Sequence, residues 1–129
     1  MLDIALLPEE YAVCRLPADA PLPTGLLSAP ATSGVLSVSR TADELSIICR
    51  ADLVPPDATV ETPWRCLRVM GPLQLAMTGI LASLVMPLAD ARVNIVAFST
   101  YDTDYLLVPS VRLDEALTAL TQFGHRVAT

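Results

Sequence analysis

The sequence predicts an α+β protein in which helices cover one face of an antiparallel sheet. Two observations support this prediction. Strand-like alternation of apolar and polar residues recurs in both halves of the chain, whereas long helical segments are expected only in the second half. There the elements follow in the order β-α-β-β-α-β, which is the ferredoxin-like arrangement. The first half repeats the strands with shortened helices, so two such units in tandem are expected.

The first half is predicted to hold four short strands separated by proline-rich stretches. The strands are residues 2–7, 11–16, 34–40 and 45–50. The first two are expected to form a hairpin with a turn at Pro8-Glu9-Glu10. Prolines also predict an irregular connector after the second strand and a linker at residues 51–63. A domain boundary is therefore expected near residue 60, between a degenerate unit (1–60) and a complete one (61–129).

The second half is predicted to contain a strand, a helix, a hairpin, a second helix and an edge strand. These elements are residues 64–70, 75–91, 93–108, 111–123 and 125–127. In the first helix, Leu81, Leu84 and Leu88 share one face at helical spacing, which predicts that this face is buried. In the second helix, Ser110 is the expected N-cap and Gly124 the expected C′ residue.

The charge pattern argues against several classes of partner. The chain has a formal net charge of −6 and contains no lysine. Nucleic acids and anionic membrane surfaces are bound by clustered lysine and arginine, so neither partner is expected. Charged residues make up only 17% of the chain, which leaves apolar surface to be covered and favours a homodimer.

The cysteines and the apolar segments indicate a cytoplasmic protein. Cys14, Cys49 and Cys66 are far apart and odd in number, which favours buried free thiols in a reducing compartment over disulfides or a metal site. The N-terminus lacks the basic start and the cleavage site of a signal peptide. Residues 70–89 carry no charge, but Gly71-Pro72 near their start and polar residues within them favour a buried helix over a membrane span.

Two places in the second half are suited to groups of opposite charge. After the strand that stops at Gly71-Pro72, a helix start exposes backbone N–H groups that attract an anion. In the later hairpin, Asp102 and Asp104 lie two positions apart and attract a cation. If the fold brings these places together, they form a small site for a zwitterion.

Each of these residues also has a purely structural interpretation. Gly71 serves a turn, and Gly79 serves a tight helix contact. Gln74 is a surface amide, and the Thr78 hydroxyl bonds back to its own helix. Asp102 is assigned to the turn, and Asp104 can also be interpreted as a hairpin residue that satisfies backbone groups, as aspartates in turns commonly do.

The segment from about residue 45 to residue 127 resembles the ACT-domain family, and more narrowly the small bacterial tandem-ACT proteins related to the cytosolic arginine sensors of the animal TOR pathway. The matching motifs are Trp64-Arg65-Cys66-Leu67, Gly71-Pro72-Leu73, Thr78-Gly79-Ile80-Leu81, Pro87-Leu88-Ala89 and Ser99-Thr100-Tyr101-Asp102-Thr103-Asp104. The resemblance implies two ACT-like units per chain and a small ligand, typically an amino acid, held where units meet. It also implies a regulatory protein without catalytic activity. Met77 stands where the sensors have an acidic residue, so a second carboxylate for a guanidinium is missing.

The helix start and the hairpin together supply the candidate ligand-binding residues. They are Gly71, Leu73, Gln74, Thr78, Gly79, Ile80, Thr100 and Asp104. We expect a non-enzymatic amino-acid sensor that uses no metal and no cofactor. The alternative is a ligand-free oligomerisation or docking subunit of a larger enzyme of amino-acid metabolism. An enzyme is disfavoured, because His125, the single histidine, has no nucleophile at a motif spacing and is predicted to be solvated or at a strand end.

Overall fold

The structure, a computed structural model, describes residues 1–28, 34–71 and 78–129. Its strands are β1 (Asp3–Leu16), β2 (Ser37–Arg40), β3 (Leu45–Arg50), β4 (Thr59–Val69), β5 (Val96–Ser99), β6 (Asp104–Pro109) and β7 (Arg126–Ala128). Its helices are α1 (Thr24–Leu27), α2 (Ile80–Asp90) and α3 (Leu113–Phe123), with short 3-10 helices at Ala51–Leu53 and Ser110–Arg112. No helix among these residues is long and apolar enough to cross a membrane.

The chain divides into two compact units. We call Met1–Pro8 together with Trp64–Thr129 the helical unit, and Glu9–Pro63 the hairpin unit. β1 and β4 each contribute one end to each unit. The boundary expected near residue 60 falls inside β4, and residues 1–8 group with the second half of the chain.

The helical unit is a sheet with α2 and α3 packed on one face. Its strand order is β7-β1-β4-β6-β5, in which β4, β6 and β5 are antiparallel neighbours. The elements from β4 to β7 occur in the order β-α-β-β-α-β, and the N-terminal end of β1 lies between β4 and β7. The core draws on both helices and on the sheet: Ile4, Leu67, Val69, Leu84, Leu88, Val93, Leu106, Val108, Ala116 and Leu120.

The hairpin unit orders its strands β4-β1-β3-β2, with β3 antiparallel to both β1 and β2. The hairpin of β2 and β3 was predicted. In place of long helices the unit has α1, four residues long, and the 3-10 helix at Ala51–Leu53. Its smaller core consists of Ala12, Cys14, Leu26, Leu45, Ile47 and Cys49. The three cysteines of the chain are buried free thiols, as predicted.

Residues 3–16 form one strand, so the predicted first hairpin is wrong. β1 pairs with β7 through Asp3–Ala5 and with β3 through Tyr11–Leu16. Pro8 lies between these two ladders, where neither β7 nor β3 pairs with β1. The N–H that proline lacks is therefore not needed for a hydrogen bond on this edge of β1. The predicted linker is also shorter than expected, because Thr59 already begins β4.

The helices begin later than the periodicity predicts. α2 begins at Ile80, and the predicted start at Leu75 lies outside the described residues. Leu81, placed on the buried face by its spacing, is 43% exposed. Ser110 opens a 3-10 turn and is not the N-cap of α3, which begins three residues later. Gly124 ends α3 with φ +113°, as predicted for a C′ glycine.

Candidate functional site

The end of β4 and the β5–β6 turn lie at the same end of the helical unit. β4 pairs with β6 as far as Arg68 and Tyr105, so the next residues along the two strands are Val69 and Asp104. Thr103, only 5% exposed, donates its hydroxyl proton to the carbonyl oxygen of Val69 over 2.6 Å. This bond ties the turn to the point at which β4 ends.

Asp104, the first residue of β6, is half-buried. Its Oδ1 accepts a 2.6 Å hydrogen bond from the hydroxyl of Ser99, which faces it across the β5–β6 ladder. Side chains alternate along a strand, so Asp104 shares a sheet face with Leu106 and Val108, which belong to the core beneath the helices. The carboxylate therefore lies on the helix side of the sheet, with one oxygen already hydrogen-bonded.

The backbone of the β5–β6 turn closes on itself. The N–H of Thr100 donates to the carbonyl oxygen of Thr103 over 2.9 Å. Thr100 is exposed, and Tyr101 beside it is 81% exposed. Tyr105 instead stacks on Phe98, with ring centroids 5.2 Å apart, and so covers the sheet. The Thr100 hydroxyl also donates to the Thr103 carbonyl, at 3.4 Å, so a ligand contact by Thr100 falls to its hydroxyl oxygen as an acceptor.

The start of α2 has no side-chain cap from any described residue. Gly79 precedes the helix with φ +78°, a conformation that L side chains rarely adopt. A Cβ at this position would meet no atom of the described residues within 4 Å, so no described residue makes the tight helix contact considered for Gly79. The N–H of Ser83 donates to the Gly79 carbonyl over 3.0 Å. No side chain in the described part of the chain therefore caps the first-turn N–H groups, which begin at Ile80.

His125 links the first turn of α2 to the end of β4. It is 4% exposed and directly precedes β7, so of the two predicted positions the solvated one is wrong and the strand end is confirmed. Its Nδ1 accepts the N–H of Leu2 at 3.1 Å, and its Nε2 lies 2.8 Å from the carbonyl oxygen of Ser83. The neutral tautomer with a proton on Nε2 satisfies both contacts. The carbonyl of Asp3 in turn accepts the N–H of Met70 at 2.8 Å, just after β4.

This arrangement of His125 could not be read from the sequence. Its hydrogen-bond partner Leu2 directly precedes the end of β1 that lies between β4 and β7. The local sequence predicts only that a histidine follows a helix-ending glycine. His125 therefore positions the elements around the candidate site, with both ring nitrogens engaged by backbone groups.

The remaining predicted site residues flank the undescribed segment. Gly71 and Thr78 are exposed on either side of residues 72–77. The predicted ligand residues Leu73 and Gln74 lie outside the described residues. The helix start and Asp104 thus lie at one end of the helical unit, and no hydrogen bond within the described part of the chain joins them.

Two surface depressions lie elsewhere, at the carboxyl end of α2. Their volumes are about 360 and 390 Å³, and both are lined by Ala91, Ala119 and Gln122. They are open grooves on the helix surface, rimmed by acids, and they do not include any predicted site residue. In the parts of the chain that the structure describes, no group of three or more His, Cys, Asp or Glu side chains is arranged to hold a metal ion.

Comparison with protein families divides the chain in two. Residues 59–122 match the family model described as an ACT domain. A second family model, described as an N-terminal domain, matches residues 9–57. No curated protein matches the sequence.

Several solved structures are similar to this chain. Protein Atu0741 from Agobacterium tumefaciens is 34% identical with a TM-score of 0.81, over 98% of this chain and 92% of that one. The Vibrio cholerae protein VC0802, described as a possible transport protein, is 18% identical with a TM-score of 0.73, over 95% and 89%. The regulatory subunit of aspartate kinase from Thermus flavus is 11% identical with a TM-score of 0.63, over 93% and 95%. At these identities the last two show similarity of fold alone.

Proposed function

The chain belongs to the same family as Atu0741 and has an ACT-like α+β fold, and from this premise we propose that it is a non-enzymatic regulatory module that binds an amino acid. We place the ligand at the end of the helical unit where α2 begins and β6 begins. The protein acts in the cytoplasm as a homodimer. We also propose that the protein is related to the arginine sensors of the TOR pathway.

The observation behind the proposal is that an uncapped helix start and a carboxylate share one end and one face of the helical unit. An α-carboxylate is stabilised by the first-turn N–H groups after Gly79, where the helix dipole is positive. The ligand's cationic group pairs with the free oxygen of Asp104, from the same or the neighbouring subunit. The hydroxyls of Thr78 and Thr100 add hydrogen bonds.

The residues around the site also support this assignment. Those that are not expected to contact the ligand already have hydrogen-bond partners within the protein. Thr103 and His125 are buried and fully engaged with backbone groups. Those residues assigned to the ligand that the structure describes are, in contrast, exposed or half-buried. Binding would stabilise one packing of subunits over another, and this difference is the regulatory signal.

A thermal-shift screen of the twenty amino acids tests the proposal. We expect at least one to raise the melting temperature, and Asp104→Asn to abolish that rise, because the amide cannot pair with a cation. Asp102→Asn is the matched control, since Asp102 is an exposed neighbour in the same turn. Ser99→Ala removes the hydrogen bond to Asp104 but keeps its charge, and should preserve binding. No shift with any amino acid would remove the proposal.

One observation favours the second candidate, a ligand-free docking or oligomerisation subunit. The Asp104 carboxylate already has an internal partner in Ser99, which gives it a structural role in the hairpin. On this interpretation Asp104→Asn and Ser99→Ala lower the melting temperature equally, and no amino acid changes it in either variant. The screen therefore separates the two candidates.

A further inference from the structure

The sheet of the helical unit has a second face, opposite to the one on which α2 and α3 pack. Side chains alternate along a strand, and Leu67, Leu106 and Val108 belong to the core beneath the helices. Their neighbours Arg68 and Tyr105 therefore lie on the opposite face, where the two residues are register partners in the β4–β6 ladder. We call this side of the sheet the rear face.

Arg68 is a half-buried cation that has no partner among the described residues. Its Nε is buried, and no described acceptor lies within hydrogen-bond distance of it. No described carboxylate forms an ion pair with its guanidinium. A buried charged donor without an acceptor destabilises the structure that holds it. Arg68 therefore gains free energy by turning toward an acceptor that binds from outside.

The charge of the rear face is opposite in sign to the net charge of the chain. Within the strands of the helical unit, the described charged residues that alternation places on this face are Asp3, Arg68 and Arg126. Arg126 donates to both carboxylate oxygens of Asp3, at 2.6 and 3.0 Å, so these two charges compensate each other. Arg68 remains as a single positive charge in a chain whose net charge is −6.

The neighbours of Arg68 on the rear face are apolar or aromatic. Phe98 stacks on Tyr105, with ring centroids 5.2 Å apart. Cys66 and Leu107, the next register pair on this face, are both 0% exposed. Water competes less for a guanidinium beside such side chains, so its pairing with an anion is stronger than at a fully exposed position. One positive charge among apolar groups suits a monoanion with an apolar body, whereas polyanions need clustered cations.

We propose that the rear face binds a small monocarboxylate with an apolar body, which the guanidinium of Arg68 anchors beside Phe98 and Tyr105. The planar guanidinium fits a carboxylate through two parallel hydrogen bonds, one of which can use the Nε that lacks an acceptor. An amino acid is disfavoured here, because its ammonium group would find the Asp3 carboxylate already paired with Arg126.

This site is separate from the proposed amino-acid site. Asp104 lies on the helix side of the sheet, whereas its neighbour Tyr105 lies on the rear face. The inference therefore goes beyond the proposed function and does not depend on it. An amino-acid screen without a single positive result would leave the rear-face site untouched.

Titration with benzoate, followed by heteronuclear NMR, tests the inference, because the Nε–H of an arginine gives its own signal. Benzoate should shift the Nε–H signal of Arg68. The signal of Arg126 should hardly move, since its Nε already donates to Asp3. Benzamide, an uncharged analogue of the same shape, should bind about tenfold more weakly or less, because it cannot form a charge-assisted pair. An unmoved Arg68 signal, or equal binding of benzoate and benzamide, would overturn the inference.

Variants of Arg68 separate this site from other places that attract a carboxylate. Arg68→Gln should weaken benzoate binding by about tenfold or more, with an unchanged circular dichroism spectrum. Arg68→Lys keeps the charge but loses the planar fork, and its affinity should lie between those of the wild type and Arg68→Gln. Arg92→Gln is the matched control, because it removes an exposed arginine outside the strands of the same unit and should leave binding unchanged. Full benzoate binding in Arg68→Gln, with shifts confined to the first turn of α2, would place the carboxylate at the helix start and refute the rear-face site.

Discussion

The helical unit and the hairpin unit arrange their strands in the same way but differ in their helices. If β4, β5, β6 and β7 are counted for the helical unit, and β1, β2, β3 and β4 for the hairpin unit, the first strand lies beside the third on one side. On its other side it lies toward the fourth, and the second strand is outermost. The helical unit covers this sheet with two helices of eleven residues, whereas the hairpin unit has helical turns of four and three residues. The strand order therefore does not require long helices.

The helices account for what the helical unit can do. The start of α2, which no described side chain caps, supplies the proposed anion site. α1 is a single turn, too short to develop a substantial dipole. We therefore assign ligand binding to the helical unit. The hairpin unit is interpreted as a degenerate second ACT unit, a proposal based on strand order and on the sequence resemblance.

The largest expected effect is the loss of unfolding free energy when one buried leucine in each core is replaced by alanine. Leu88 and Leu45 are both 0% exposed, one in each unit. Leu88→Ala should cost about 3–5 kcal/mol of unfolding free energy, because helices and sheet enclose the cavity on all sides. Leu45→Ala should cost about 2–3 kcal/mol, since the smaller core relaxes more easily. Equilibrium urea unfolding measures both. An equal or larger loss for Leu45→Ala would contradict the view that the helices stiffen the helical unit.

Gly34 tests how the hairpin unit compensates for its short helices. Its backbone, at φ +86°, closes over the buried ring of Tyr11, whose hydroxyl oxygen accepts the N–H of Val35 at 3.1 Å. A Cβ at Gly34 would clash with that hydroxyl. Gly34→Ala should therefore cost about 2–4 kcal/mol in thermal or urea unfolding. Gly25→Ala is the control, because nothing lies within 4 Å of its added methyl group, and it should be nearly neutral.

His125→Phe should loosen the helical unit alone. The substitution keeps an aromatic ring beside Phe123 but leaves the N–H of Leu2 and the carbonyl of Ser83 without their partner. The expected cost is about 1–3 kcal/mol. Amide hydrogen exchange should speed up at Leu2 and in the first turn of α2, and should be unchanged in β2 and β3. Uniformly faster exchange in both units would show that the effect is not local.

The smallest expected effect is a difference in the rates at which buried thiols react. Burial is the main cause that raises the pKa of Cys49 and of Cys66 from 9.0 to about 12, and it also raises the pKa of Cys14. Each thiol should therefore react only when its unit opens. In variants that keep one cysteine, Cys14 and Cys49 should react faster than Cys66, which lies in the unit with long helices. Equal rates would indicate that both units open together.

The same pKa shifts set an alkaline limit to stability. The folded state keeps Cys49 and Cys66 neutral above pH 9.0, where the unfolded chain ionises them. Their contribution is complete below pH 9.0 and is lost as the pH rises toward about 12. Cys66→Ala should make unfolding less sensitive to pH in this window. An unchanged pH dependence in that variant would rule out Cys66 as a source of the alkaline loss.

Local sequence patterns predicted the features that neighbouring residues decide. Alternation located the β2–β3 hairpin, and the C′ glycine located the end of α3. Patterns failed where distant strands decide the outcome. Pro8 lies inside β1 because the two halves of that strand pair with different partners. His125 is buried because Leu2 lies beside it. The candidate site combines local and distant influences. The pairing of β6 with β4 and β5 accounts for the position of Asp104, while Leu73 and Gln74 lie outside the described residues.

The division through β1 and β4 has a consequence for synthesis on the ribosome. Residues 3–8 leave the ribosome before the hairpin unit, yet in the folded sheet they lie between β4 and β7. β4 is synthesised at the end of the hairpin unit, and β7 is synthesised last. The early segment must therefore wait, unpaired on that side, until the late strands appear. The helical unit consists of two segments that flank the hairpin unit in sequence. Neither unit can therefore be produced alone by cutting the gene at a single point.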